Sequence, residues 1–315
     1  MGDIVSADGR HTKNVQHRKS KALGTIDQIM QILDSVVFGK YYFEVALVLR
    51  SSLLLSSLLM NSEAWINLSD RDIRALEQTD EILLSKILES ETNTSNTFKY
   101  LELGVVPIRF EIMKRKIVFL QYLLKQEKGS MIAEVFKATC DNPGKNDFVS
   151  ICEKYLTSLE IKLTFGEIEQ MSTWSFKKMV KEKTTFAAFK YLVNLKNKQT
   201  ISHIQYEKLG IQEYLMEGNK NLKVSKFIFK ARSRTLDIKT HKKWKYEDKI
   251  CVGCKVREET EEEILTCKIF GDEEEIKTKP INYSWFFGGL LDDLVLVAKE
   301  MMKRMDKRQK ILDNG

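Results

Sequence analysis

The chain has 315 residues, 43% of them hydrophobic and 30% charged, a globular composition that excludes wholesale disorder. Three prolines and 15 glycines are too few for a β-sandwich or barrel with many tight turns. The net charge of +7 is compatible with a polyanionic partner but does not define one.

The first 21 residues are polar and basic (Arg10, His11, Lys13, His17, Arg18, Lys19, Lys21), with no apolar run. No secretory signal is therefore expected, and an intracellular protein, nuclear or cytoplasmic, fits. From Lys21 to Val37, Leu23, Ile26, Ile29, Met30, Leu33 and Val37 form one helical face. Tyr41 to Trp65 reads as a second, more fully apolar helix. Only 12 uncharged residues separate Arg50 from Glu63, short of the roughly 20 needed to span a bilayer, so no membrane contact is expected. Ser69-Asp-Arg-Asp predicts a capping box, with Asp72 in the third helical place. Ile73, Leu76, Leu83, Ile87 and Leu88 continue that helix, and residues 91–97 form a polar loop.

Gly104 and Pro107 punctuate the next stretch, and Pro107 fits a first helical turn. The spacing predicts a helix over residues 108–126 that buries Ile112, Val118, Phe119 and Leu123. Its opposite side would carry Arg109, Lys114, Arg115 and Lys116, which could contact nucleic-acid phosphates or be merely solvated. Helical patterns resume over residues 147–159, 172–197, 205–216 and 222–236. Few segments alternate with period two, so the expected fold is all-α, a multi-helix bundle with a small cysteine knuckle near its C-terminal end.

Five cysteines in a long chain do not suggest a disulfide framework, and a reducing compartment fits better. Cys140 and Cys152 lie in apolar-periodic surroundings and read as inert core thiols. Cys251-Val-Gly-Cys254, followed by Cys267, is the half-site pattern of tetrahedral zinc. The fourth ligand would be Glu263, one helical turn before Cys267, or His241. A degenerate knuckle without metal is the other reading. A redox Cys-x-x-Cys lacks a βαβ setting.

Basic residues interleave with aromatics over Lys226–Arg234 and again over Thr240–Tyr246. Lys230, Arg232, Arg234, Lys242, Lys243 and Lys245 could neutralise phosphates while exposed aromatics stack on bases. Alternatively, Phe227, Trp244 and Tyr246 are core and the lysines are merely solvated. Catalysis has little support. Asp292-Asp293 reads as the acidic start of an amphipathic helix rather than a metal pair. Asp272, Glu275 and Lys277 have nuclease-like spacing, which is common by chance in a charged chain.

Several strings, taken in order, resemble one family. They are Met1-Gly-Asp-Ile-Val-Ser-Ala-Asp-Gly with Asn14, Gly39-Lys-Tyr-Tyr-Phe-Glu, Leu49-Arg-Ser-Ser-Leu-Leu and Asn61-Ser-Glu-Ala-Trp65. Tyr100-Leu-Glu-Leu-Gly, Pro107-Ile-Arg-Phe-Glu-Ile-Met-Lys-Arg-Lys and the cysteine knuckle follow. Together they resemble the region after the palm in reverse transcriptases of invertebrate non-LTR retrotransposons. The resemblance implies thumb-like helices over residues 1–68, a helical linker over 69–245 and a cysteine knuckle over 246–270. An acidic loop and a C-terminal helix would complete the chain over 271–315.

It also implies that Met1-Gly2 stands where the family's primer-grip hairpin closes, so that the palm aspartates are missing. The chain would not be an enzyme on its own. Its partners would be RNA and DNA backbone and an intact reverse transcriptase. The family knuckle has histidine where this chain has Glu263. A helical interaction scaffold with no nucleic-acid activity is the alternative, and a metal-dependent nuclease a further one.

Overall fold

The computed structural model describes residues 11–35, 41–66, 68–142, 144, 147–199, 204–216, 221–271 and 291–314. Among them the fold is all-α: two isolated bridges, Leu103 with Ile211 and Ile250 with Glu258, are the only β pairing. No helix among these residues is long and apolar enough to cross a membrane.

The first helix, α1 (Thr12–Ser35), begins well before the expected apolar stripe. It buries Asn14, Val15, Arg18, Ala22, Ile26, Ile29 and Leu33, while Leu23 stays exposed. The basic start is thus partly interior. The second apolar segment is not one straight helix. It runs as α2 (Tyr42–Leu49), a π-turn (Arg50–Leu54) and α3 (Leu55–Leu58). The hydroxyls of Ser51 and Ser52 both donate to Val48 O, a local bond that loosens a regular ladder. At this break the buried Arg50 forks onto Asp80, both bonds being 2.7 Å, and also donates to Val106 O at 3.1 Å. Asp80 lies on α4 (Asp70–Leu88), which opens with the expected capping box: Ser69 Oγ accepts from Asp72 N at 3.1 Å and Asp72 accepts from Ser69 N at 3.2 Å.

The next helix, α5 (Asn96–Leu103), stops at Gly104, whose φ of +64° is left-handed. A Cβ there would also lie 2.1 Å from Gly210 C, so both backbone conformation and close approach require glycine. That approach corrects the helix expected over 205–216. Residues 204–212 instead run against the end of α5, Gln212 N bonding Glu102 O, and only α11 (Glu213–Met216) is helical.

Two long helices, α6 (Ile108–Leu124) and α10 (Thr173–Lys196), form the spine. They are antiparallel: Phe110 meets Tyr191 at one end, and Gln121 donates to Met171 O at the other. Between them they join two apolar cores. One core gathers α1 to α5, Ile108, Ile112, Leu192, α11, α12 (Leu222–Arg232) and residues near the C-terminus such as Leu265 and Met301. The other packs Ile117 and Leu120 of α6 against Cys152 and Leu156 of α8 (Phe148–Ser158), Ile168 of α9 (Phe165–Gln170), and Phe176 and Val180 of α10. The first core therefore draws on all four sequence segments. Between α6 and α8 lies α7 (Met131–Asp141), which buries no residue; Cys140 on it is only partly covered, unlike the fully buried Cys152.

The register of α6 differs from expectation. Its buried side includes Ile112, Lys116, Ile117, Leu120 and Gln121, while Val118, Phe119 and Leu123 are half-buried. Lys116 is interior because its ammonium donates to Glu63 O (3.2 Å) and Trp65 O. Burial pushes its pKa down from 10.5 to about 8, against the opposing influence of Cys152 and Glu63. An unfolded lysine titrates near 10.4. Between those values the unfolded chain holds the extra proton, so this group makes stability rise with pH and weighs fully against folding below about pH 8. The shift corresponds to about 3 kcal/mol. The unfolding free energy of the native chain minus that of Lys116→Met should therefore grow by this order between about pH 8 and about pH 10.5. Denaturant titrations at the two ends of that window would measure it, and a flat difference would contradict the shift.

Candidate metal centre and basic groove

The cysteine segment folds as a short turn. Cys251 N bonds Arg257 O at 2.8 Å and Lys255 N bonds Cys251 O at 3.0 Å, bringing Cys251 and Cys254 to one side. Gly253 sits where a Cβ would meet the Phe270 ring at 2.9 Å and Cys267 Sγ at 3.1 Å, so any side chain would displace the cluster. A single turn of helix, α13 (Glu261–Thr266), is capped by Thr260, whose hydroxyl accepts from Glu263 N at 3.1 Å. Cys267 N bonds Glu263 O, so Glu263 and Cys267 face the same way.

The ligand atoms of Cys251, Cys254, Glu263 and Cys267 all lie within 4.8 Å of one another. Cys251 Sγ and Cys267 Sγ are 3.9 Å apart, and Cys254 Sγ is 3.2 Å from Glu263 Oε1. Zinc–sulfur bonds of about 2.3 Å at a tetrahedral angle give sulfur–sulfur edges of about 3.8 Å, so the donor set fits a tetrahedral cation. All five cysteines are free. Without metal, burial pushes the Cys251 thiol up to about 12, and neighbouring Cys267 adds to the rise. His241 is not in the cluster; its Nε2 sits 2.5 Å from Glu261. The four side chains can hold a metal ion.

The last helix, α14 (Leu291–Asn314), braces the centre. Arg304 Nη1 donates to Cys267 O at 3.2 Å, and Arg308 bonds the fully buried Glu259 at 2.6 and 2.9 Å. Asp292 and Asp293 occupy the first turn of α14, where carboxylates suit the positive helix end. Asp272, Glu275 and Lys277 lie outside the described residues.

The cations singled out in the sequence fall into different settings. Arg109 forks onto Glu77 at 2.7 and 3.0 Å and covers the Tyr191 ring. Arg232 is buried on Glu102, and Lys116 is interior, so neither faces solvent. Lys242 pairs with Glu91 at 2.9 Å and Lys245 with Asp237 at 2.5 Å. Lys230 is half-buried. Arg234 and Lys243 are exposed, and beside them Trp244 is 70% exposed rather than core.

Lys114 and Arg115 line a groove of about 790 Å³ between α6 and the start of α10. Lys114 also reaches Glu111 at 2.5 Å, and Arg115 donates to Leu59 O at 2.9 Å. Sequence reading missed the other half of this wall. Lys125, Lys177 and Lys181 complete five cations against one lining carboxylate, Glu63. Lys125 donates to Met171 O, whereas Lys177 and Lys181 have no acidic partner among the described residues. The signal was present as lysines at i and i+4 over residues 177–181, although no contiguous basic run marked it.

Compared with known proteins, the chain matches no family model, no curated protein and no solved structure.

Proposed function

We propose that this chain is a non-catalytic, helical nucleic-acid-binding segment, corresponding to the post-palm part of a retrotransposon reverse transcriptase, with a structural zinc site at its C-terminal end. The observation that carries the binding role is the groove between α6 and α10, where five cations face one carboxylate. A concentration of one sign in a concave wall raises the local potential and attracts a polyanion. The assignment to that family rests on the ordered sequence strings. Zinc is the metal suggested by three cysteines and a carboxylate whose ligand atoms lie within 4.8 Å of one another, three of the four residues being buried.

The test is binding of the purified chain to a structured RNA and to a DNA duplex across a salt series. Log affinity should fall linearly with log salt, with a slope of about −0.9 per duplex phosphate neutralised. Replacing Lys177 and Lys181 with glutamine should flatten the slope by about two on duplex DNA. A flat salt response in the native chain would sink this reading. One observation favours the scaffold alternative: Met131, Ile132 and Val135 make an exposed apolar face on α7.

A further inference from the structure

The groove holds more than charge. Phe119 and Tyr122 line it beside the cations and stack on each other, with ring centroids 5.6 Å apart and planes 15° apart. Phe148 meets Phe119 edge-on at 5.7 Å, which fixes the inner ring from behind. Tyr122 is nevertheless 52% exposed, a ring backed by a second ring and open on its outer side. At the groove's edge, next to lining residue Thr173, Trp174 is 72% exposed, and Lys178 Nζ lies 5.3 Å from its ring centre.

Length also argues. Lys114 on α6 and Lys125 at its C-terminal cap stand 11 residues apart, which is about 16 Å along the helix axis. Lys177 and Lys181 face them from α10, one turn and about 6 Å apart. That wall is too long for one phosphate and suits a chain of them. Duplexes keep their base faces stacked inside, so they present phosphates but nothing for Tyr122 to cover. Unpaired nucleotides present both.

We infer that the α6–α10 groove takes single-stranded nucleic acid, with Tyr122 stacking on an unpaired base and Lys177 and Lys181 holding flanking phosphates. This rests on the polyanion-binding reading above and narrows it to a substrate class and a place. Trp174 offers a second base platform at the rim. The arrangement is sequence-tolerant, because every base has a π-face and no buried donor or acceptor among the lining residues is dedicated to reading an edge.

The experiment uses the full chain and fluorescence anisotropy with a labelled oligouridine of about a dozen nucleotides, the length of a single binding site, and a DNA duplex of the same length. The native chain should bind the single strand more tightly than the duplex. Tyr122→Ala should weaken single-strand binding roughly tenfold, leave duplex binding within twofold, and be restored by Tyr122→Phe. Lys177→Gln with Lys181→Gln should weaken single-strand binding and flatten its salt slope by about 1.4. Tyr122 and both lysines are exposed, so unchanged thermal melting is expected and should be verified for each variant.

Three outcomes would overturn the inference. If single strand and duplex bind equally and Tyr122→Ala changes neither, the groove assignment falls while general polyanion binding stands. If the native chain binds neither probe at low salt, both readings fall. If a poly-glutamate peptide displaces the oligonucleotide at equal charge concentration, the groove belongs to an acidic protein instead.

Discussion

Glu102→Ala should be among the most damaging single substitutions in the helical body. Glu102 is completely buried on α5, yet it is ion-paired. Arg232 reaches it from α12 with Nη2 at 2.9 Å and Nε at 3.2 and 3.3 Å. Tyr206 donates to Oε1 at 2.5 Å, and Tyr214 donates to Oε2. Burial, reinforced by the adjacent carboxylate, pushes both phenols well above their usual range, so they stay protonated as donors. One carboxylate thus ties together α5, the segment at 204–216 and α12.

Removing it strands a buried guanidinium, which typically costs about 3–5 kcal/mol, and orphans two hydroxyls. A domain's entire stability is about 5–15 kcal/mol, so the variant should be largely unfolded or should melt far below the native chain. Urea unfolding followed by far-UV circular dichroism gives the measurement. The comparison that isolates the ion pair is Glu102→Leu with Arg232→Met, which should recover part of the loss because no charge is left unpaired. A loss under about 1 kcal/mol in Glu102→Ala would mean that water reaches the site and that the network is not a clamp.

That network also explains why charge could not be sorted from sequence. Arg232 looks like a phosphate-binding cation among basic neighbours, and its partner is 130 residues away. The same holds for Arg109 on Glu77 and Lys242 on Glu91. Pairing is a long-range property, whereas the Ser69–Asp72 cap is complete within four residues and was legible. The Cys251, Cys254, Glu263 and Cys267 set was legible for a similar reason, since a turn and a short helix gather it locally. The register of α6 was not. Its apolar residues spread around the helix, and Lys116 faces inward only because Glu63 and Trp65 offer carbonyls there. Gly210 carried no local helix-breaking signal strong enough to reveal its contact with Gly104.

On the proposed zinc centre, replacing Cys267 with serine should abolish stoichiometric metal binding, and the loss should be felt mainly in the C-terminal quarter. Zinc bound to structural sites contributes about 10–16 kcal/mol in finger peptides at neutral pH, far more than any single packing contact. Here the binding free energy would be delivered to a small unit. Phe270 closes over Gly253, and Arg304 of α14 holds the Cys267 carbonyl. Among the described residues, the second core, built on α6, α8, α9 and α10, includes no residue of the centre. Hydrogen exchange on the native and Cys267→Ser chains should therefore show faster exchange in α13 and α14, with the second core nearly unchanged.

Glu263 supplies the sharper comparison. Glu263→Ala removes one ligand and should weaken zinc by more than the roughly 10–100-fold typical of losing an outer-sphere partner. Glu263→His would convert the site to three cysteines and a histidine, a commoner structural set, and should restore tight binding if the ring reaches the metal. In every variant the affinity should fall as pH is lowered, because metal must displace protons from the cysteine ligands, and burial raises the Cys251 thiol pKa. Competitive titration against a colorimetric chelator measures all three chains. If Glu263→Ala binds zinc as tightly as the native chain, Glu263 is not a ligand, and the three cysteines must find their fourth donor elsewhere. If none of the three binds, the cluster is a packed remnant of a metal site, held by Phe270 and Arg304 alone.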